Sequence, residues 1–210
     1  MRLAYLLTGD VHLGGLHRAR PGSMALVVKA GSRIRSVAGL KGRKIGVPHL
    51  RGLPALSAVA MLKRGGLDPD DVVLVESPYH HGVKAALLAE PYLTAGLREG
   101  RVPVLPPAGF EGLPTAGWMA ADDWIKDNPR TLRAFQRALA KAHRLIAADP
   151  GQVVRVLPSY ARVTSSDLDG VELGSYSADL DVPGLQRLAD LARRHSVLRE
   201  PLDVRDFVIK

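Results

Sequence analysis

An α/β fold with a parallel sheet is what the order of elements in this chain predicts. Three observations carry that reading. Between Met24 and Glu90, short apolar runs and one helical stretch follow in the order strand, turn, strand, helix, strand. Beyond Pro114 the pattern becomes mostly helical, with apolar residues recurring at helical spacing. The 210 residues suffice for one large domain or two small lobes.

Residues 1–23 read as a short helical or irregular piece ending in the loop Arg18-Ala-Arg-Pro-Gly22. Met24-Ala-Leu-Val-Val-Lys29 is short, apolar and β-branched, hence a strand. The turn Gly39-Leu-Lys-Gly42 leads to a second strand, Lys44-Ile-Gly-Val-Pro48, which Pro48 closes by fixing φ and removing a backbone donor. A helix is predicted from Pro54 to Lys63, with Leu56, Val59, Ala60 and Leu62 on roughly one face and Gly65-Gly66 as its stop. Val72-Val-Leu-Val75 is a third strand, leading to Ser77-Pro-Tyr-His-His81, and a helix begins near Pro91. Val102-Pro-Val-Leu105 is a further short strand, Pro106 to Pro114 a Pro/Gly-rich connection, and Thr115 to Ala121 an extended crossover. Asn128-Pro129 signals a helix start, and Leu132, Phe135, Leu139, Ala142 and Ile146 then keep one face until Asp149-Pro150-Gly151. Two further helices are predicted, from about Gln152 to Leu157 and from about Pro183 to His195, the last with Leu185, Leu188, Ala189 and Ala192 inward.

Composition removes several function classes. No apolar run approaches the roughly 20 residues of a membrane span. The absence of cysteine excludes disulfides, thiolate metal sites and cysteine nucleophiles. Net charge is +8, with 21 Arg against 8 Lys, but the basic residues are interleaved with acids and no basic run of five occurs. Aromatics make up only 5%, too few for a base-stacking surface, so nucleic acid is not the expected partner. The start, Met1-Arg-Leu-Ala-Tyr-Leu-Leu-Thr-Gly-Asp10, lacks the charge and apolar pattern of a signal peptide. Catalytic motifs are also missing: there is no G-x-S-x-G, Walker loop or H-E-x-x-H.

The residues that follow the strands are the candidate ligand contacts. A strand passing through a glycine-bearing loop into a helix directs free N–H groups and a positive dipole end at whatever binds there. The loop His49-Leu-Arg-Gly-Leu53 has that placement, and His49, Arg51 and Gly52 are its candidates. Arg51 offers a planar donor fork suited to carboxylate, sulfonate or phosphate; equally it is a solvated loop arginine. Tyr79 and His80 sit past the end of a strand, either as ligand contacts or as a plain surface loop. Adjacent histidines such as His80-His81 face different ways, so a metal site is not expected. Glu90 before Pro91 suits the cap of the next helix, and Tyr92 could stack on a ring or fill an interface. No cofactor is expected.

Ser32-Arg-Ile-Arg-Ser-Val-Ala-Gly-Leu-Lys-Gly-Arg-Lys-Ile-Gly-Val-Pro48 resembles a segment of the ABC-transporter solute-binding proteins of the nitrate/sulfonate/taurine and thiamine-pyrimidine type, where it reads S-x-I-x-S-x-x-D-L-K-G-K-x-I-x-V-P. Ala89-Glu-Pro-Tyr-Leu-Thr-Ala95 is similar to their E-P-[YF] segment. Asn128-Pro129 with Phe135 to Ala142, Val156 to Tyr160, and Asp181 to Asp190 resemble their later regions in the same order. The resemblance implies a periplasmic-binding-protein type 2-like fold of two lobes, with 24–114 as lobe two and 1–23 plus 115–210 as a remnant of lobe one and C-terminal helices. It places Glu90 at the cleft edge, where a carboxylate could accept from an amino-bearing ligand. It also implies a non-enzymatic binder of a small organic anion or nitrogenous metabolite, outside the cytoplasm, delivering its solute to an ABC permease and meeting the membrane only through it. A cytoplasmic enzyme or ligand sensor on the same fold is the alternative, as is a truncated member with little binding activity.

The chain departs from the family pattern in two places. Leu6 to Gly15 resembles A-L-x-x-G-x-V-D-x-G, which lies well inside lobe one, and carries His12 at the aspartate. A G-x-V-D-A stretch is skipped between Val83-Lys-Ala-Ala and Leu88-Ala-Glu-Pro. These departures lead to the expectation of a shortened member with lobe one incomplete.

Overall fold

The computed structural model describes residues 11–18, 24–50, 52–77, 82–105, 112–160, 164–171, 174–177 and 180–208. The chain divides into two compact units. One comprises Arg20–Glu111 and Val163–Leu173; the other comprises Met1–Ala19, Gly112–Arg162 and Gly174–Lys210.

The first unit is built on a five-stranded sheet of β2 (Met24–Val28), β3 (Lys44–Val47), β4 (Val73–Glu76), β5 (Ala85–Ala89) and β6 (Val102–Leu105), in the order β4-β3-β5-β2-β6. β3 runs parallel to both β4 and β5, whereas β2 is antiparallel to both β5 and β6. The sheet is therefore mixed, not wholly parallel as the element order predicts. The parallel part is the βαβ crossover through α1 (Leu53–Arg64), which begins one residue before Pro54.

Burial explains the pattern of these strands. Every residue of β2 is buried, and Ile45, Val47 and residues 85–88 are buried with it. Leu56, Ala58, Met61 and Leu62 of α1 are buried as well. Strands covered on both faces lose the alternation that marks a half-exposed strand. β5 escapes sequence reading for that reason: Ala-Ala-Leu-Leu-Ala has no β-branched residue and suits a helix as well. Its alanines leave room for Ala25, Val27 and Leu93 in one shared cluster. Gly46 is required in β3, because a Cβ there would lie 2.9 Å from Val83 Cγ2.

α2 (Tyr92–Arg98) follows β5 through the cis Glu90–Pro91 bond. The Glu90 carboxylate accepts from the Thr94 N–H at 3.1 Å and from the Thr94 hydroxyl at 2.8 Å, which closes the start of this helix. A short turn at Ser165–Leu168 packs on α2, where Leu168 is buried and Arg98 Nη2 donates to the Asp169 carbonyl at 2.6 Å.

The second unit holds a three-stranded antiparallel sheet in the order β7-β1-β8, made by β1 (Val11–Arg18), β7 (Pro114–Ala121) and β8 (Ser175–Ser177). β1 corrects the expectation of a helical or irregular N-terminal piece. Its glycine pair Gly14-Gly15 obscures any period in sequence, and pairing with β7 along seven registered positions makes it a strand. The extended segment expected at 115–121 is β7 itself.

Helices α3 (Asp122–Asp127), α4 (Pro129–Ala148), α5 (Gly151–Val156) and α6 (Val182–Arg194) complete this unit. α4 runs along β8 and β1, and Trp118 of β7 meets Phe135 of α4 edge to face at 5.2 Å. Asn128 precedes Pro129 as predicted, but its amide donates to the Trp124 carbonyl instead of capping α4. α6 has the firmer anchorage. Asp181 accepts from the Gly184 N–H at 3.0 Å, and Leu185 and Ala189 pack with Val204. Gln186 ties the segment after the helix down, donating to the Leu202 carbonyl and accepting from the Val204 N–H. Among the described residues no helix is long and apolar enough to cross a membrane.

Candidate functional site

The parallel pairing of β3 with β4 and β5 brings three strand ends to one edge of the five-stranded sheet. β2 starts at the same edge, since Met24 pairs with Ala89. Loops leaving the carboxyl ends of parallel strands are where open α/β sheets place ligands. His49 and Gly52 leave β3 there, Glu76 ends β4, and Glu90 and Tyr92 follow β5. Arg51, Tyr79 and His80 lie outside the described residues.

The β3–α1 loop is held by a residue that sequence reading passes over. Glu76 accepts from the Leu50 N–H at 3.2 Å, and its other oxygen lies 3.8 Å from His49 Nδ1. Ser77 N–H donates to the Val47 carbonyl at 2.8 Å, which carries the β3–β4 pairing one residue further. Both His49 and Glu76 stay exposed, with 70% and 51% of their side chains open to solvent. The available signal is positional: an acid closing a strand beside a glycine loop.

α1 opens on Gly52, whose φ of 143° belongs to glycine almost alone. No side chain caps this helix, its first turn has no acid, and Lys63 and Arg64 close its last turn. The positive end of its dipole is thus opposed by no residue of the helix itself. Leu53 and Pro54 are half-buried at that end, so an anion there would meet backbone and apolar side chains, not hydroxyls.

Glu90 serves α2. Both of its carboxylate oxygens accept from Thr94, whose N–H lies in the first turn. Tyr92, the first residue of that helix, is 38% exposed. His49, Gly52, Glu90 and Tyr92 therefore share one sheet edge, in two loops. Among the described residues no group of three or more His, Asp or Glu side chains is placed to hold a metal ion.

The perturbed titrations belong to the second unit. Arg205 donates to both oxygens of Asp203, by side chain and backbone, and holds that carboxyl at about 2. Burial, with Tyr160 nearby, raises the Tyr176 phenol.

The fold is that of the periplasmic binding proteins. The alkanesulfonate-binding protein SsuA from Xanthomonas axonopodis pv. citri, solved bound to MOPS, superposes with a TM-score of 0.75 at 18% identity, over 98% of this chain and 77% of that one. The periplasmic aliphatic sulphonate binding protein SsuA from Escherichia coli gives 0.71 at 18%, over 96% and 70%. The desulfurization enzyme DSZB gives 0.67 at 17%, over 95% and 77%, so the same fold also carries an enzyme. No curated protein sequence matches the chain. Residues 18–153 match the NMT1/THI5-like family model, and the chain belongs to that family.

Proposed function

We propose that this protein is the solute-binding component of an ABC importer and that its solute is a small organic sulfonate or a similar anion. The observation that carries the reading is the start of α1. It is an uncapped helix end with no acid in its first turn, opened by a glycine at a strand-end edge in a chain of the NMT1/THI5-like family. Such an end favours an anion through aligned N–H groups and the helix dipole. Gly52 lets the backbone approach the ligand, and Arg51 adds charge. Tyr92, and Tyr79 with His80, supply flanking contacts, while Glu90 positions α2 and Glu76 holds the loop. Capture by hinge closure, delivery to a permease and a place outside the cytoplasm follow from this reading.

The likeness to the two SsuA proteins supports the sulfonate class, while nitrate, taurine and pyrimidine precursors are the competitors to be tested. The likeness to DSZB favours one alternative, an enzyme acting on a sulfur-bearing substrate. The chain has no cysteine, so any such reaction would have to proceed without a thiol.

Thermal-shift and calorimetric titration with ethanesulfonate, taurine, nitrate and a pyrimidine precursor test the proposal. A ligand at a hundred times its Kd stabilises by about 2.7 kcal/mol, well within detection. Leu53→Glu is the matched variant, since an acid in the first turn suits the helix but repels an anion. Binding by the native chain that this substitution abolishes is the expected result. No response to any of the compounds would overturn it, and product formation would favour the enzyme.

A further inference from the structure

The +8 charge looks dispersed in sequence, but α4 gathers five of its cations into a line. The helix reads Pro-Arg-Thr-Leu-Arg-Ala-Phe-Gln-Arg-Ala-Leu-Ala-Lys-Ala-His-Arg-Leu-Ile-Ala-Ala and contains no acid. At 100° and 1.5 Å per residue, Arg130, Arg133, Arg137, Lys141 and Arg144 fall within an arc of about 80° and extend about 21 Å along the axis. All five are exposed, and none forms an ion pair with a carboxylate among the described residues. The apolar residues Leu132, Phe135, Leu139 and Ile146 occupy the opposite side.

We infer that this stripe is a docking surface for anionic lipid headgroups. Five cations on one straight, rigid ridge can all meet a plane at once, which suits a bilayer surface. Beside the stripe, Ala134, Ala138 and Leu145 are exposed, Leu145 by 55%, and form an apolar fringe at headgroup depth. Nucleic acid fits less well. Phe135, the one Phe, Tyr or Trp of the helix, lies on the far side against Trp118, so the stripe carries no aromatic platform for bases. The contact is peripheral and electrostatic, distinct from solute binding, and requires no inserted helix.

The test is co-sedimentation of the full chain with vesicles of phosphatidylcholine alone and with 30% phosphatidylglycerol (about that fraction suffices for a strongly negative surface), at low and high salt. Binding is expected only to the anionic vesicles and is expected to fall as salt rises. Each cation near such a surface contributes about 1 kcal/mol, or about fivefold in partition. Arg137→Gln with Lys141→Gln should therefore weaken binding about 25-fold, with an unchanged circular dichroism spectrum. Arg193→Gln with Arg194→Gln, which removes the same charge from α6, should leave binding within about twofold. Three outcomes would overturn the inference: no binding to anionic vesicles, equal losses from the two double variants, or a preference for a short DNA duplex at equal phosphate concentration.

Discussion

Glu90→Ala separates a helix cap from a ligand contact. The carboxylate accepts two hydrogen bonds from Thr94, at 3.1 and 2.8 Å, in a half-buried setting at the start of α2. Hydrogen bonds to charged groups contribute about 1.5–3 kcal/mol each when buried, and cap removal costs about 1 kcal/mol. Water can replace part of the loss at a half-buried site, so the expected cost is about 2 kcal/mol to the unit that holds α2. Native-state hydrogen exchange reads this directly. Protection of the Thr94 amide should fall about 30-fold, because 1.36 kcal/mol is a factor of ten. Glu90→Gln should lose about half as much, since its carbonyl still accepts one bond. In a Thr94→Val background, Glu90→Ala should cost about 1 kcal/mol less, the hydroxyl bond being already gone. Unchanged Thr94 protection combined with loss of sulfonate binding would refute the cap and make Glu90 a ligand group.

Leu26→Ala empties a fully buried site at the centre of β2 and should destabilise the protein by about 3–4 kcal/mol in urea unfolding followed by circular dichroism. Gly46→Ala should cost about 1–3 kcal/mol by overpacking on Val83 Cγ2, and adding Val83→Ala should recover most of it. Asp203 should titrate near pH 2 by carbon-detected NMR and return toward the ordinary 3.9 in Arg205→Ala. Because its folded pKa lies below the unfolded value, its contribution to stability is complete above about pH 4 and is lost as pH falls toward 2. The variant should not show that loss.

The elements that declared themselves in sequence are those whose local signals agree. Pro48 ends β3, Gly65-Gly66 ends α1, and Asn128-Pro129 with Asp149-Pro150-Gly151 brackets α4, each through backbone chemistry that needs no tertiary partner. The loop from His49 to Gly52 was legible as a candidate ligand position for the same reason: strand, glycine and helix start adjoin in sequence. Glu76 was not, because its contact with Leu50 spans 26 residues and exists only once β3 and β4 pair. For Glu90 both readings stood open in sequence, and the position of Thr94 one turn on shows what the carboxylate holds.

Composition and spacing by themselves determined the α/β class, the absence of thiol chemistry and the position of most helices. Tertiary structure decided the direction of β2, the strand character of Val11–Arg18 and the central place of Ala85–Ala89. It also decided that the cation stripe of α4 stays exposed, whereas the alignment of those five cations follows from their helical spacing alone. The physical reason is common to all of these. Caps, breakers and periodicity act within a turn or two of the chain, whereas strand pairing, two-sided burial and the exposure of a helix face depend on segments that meet only after folding.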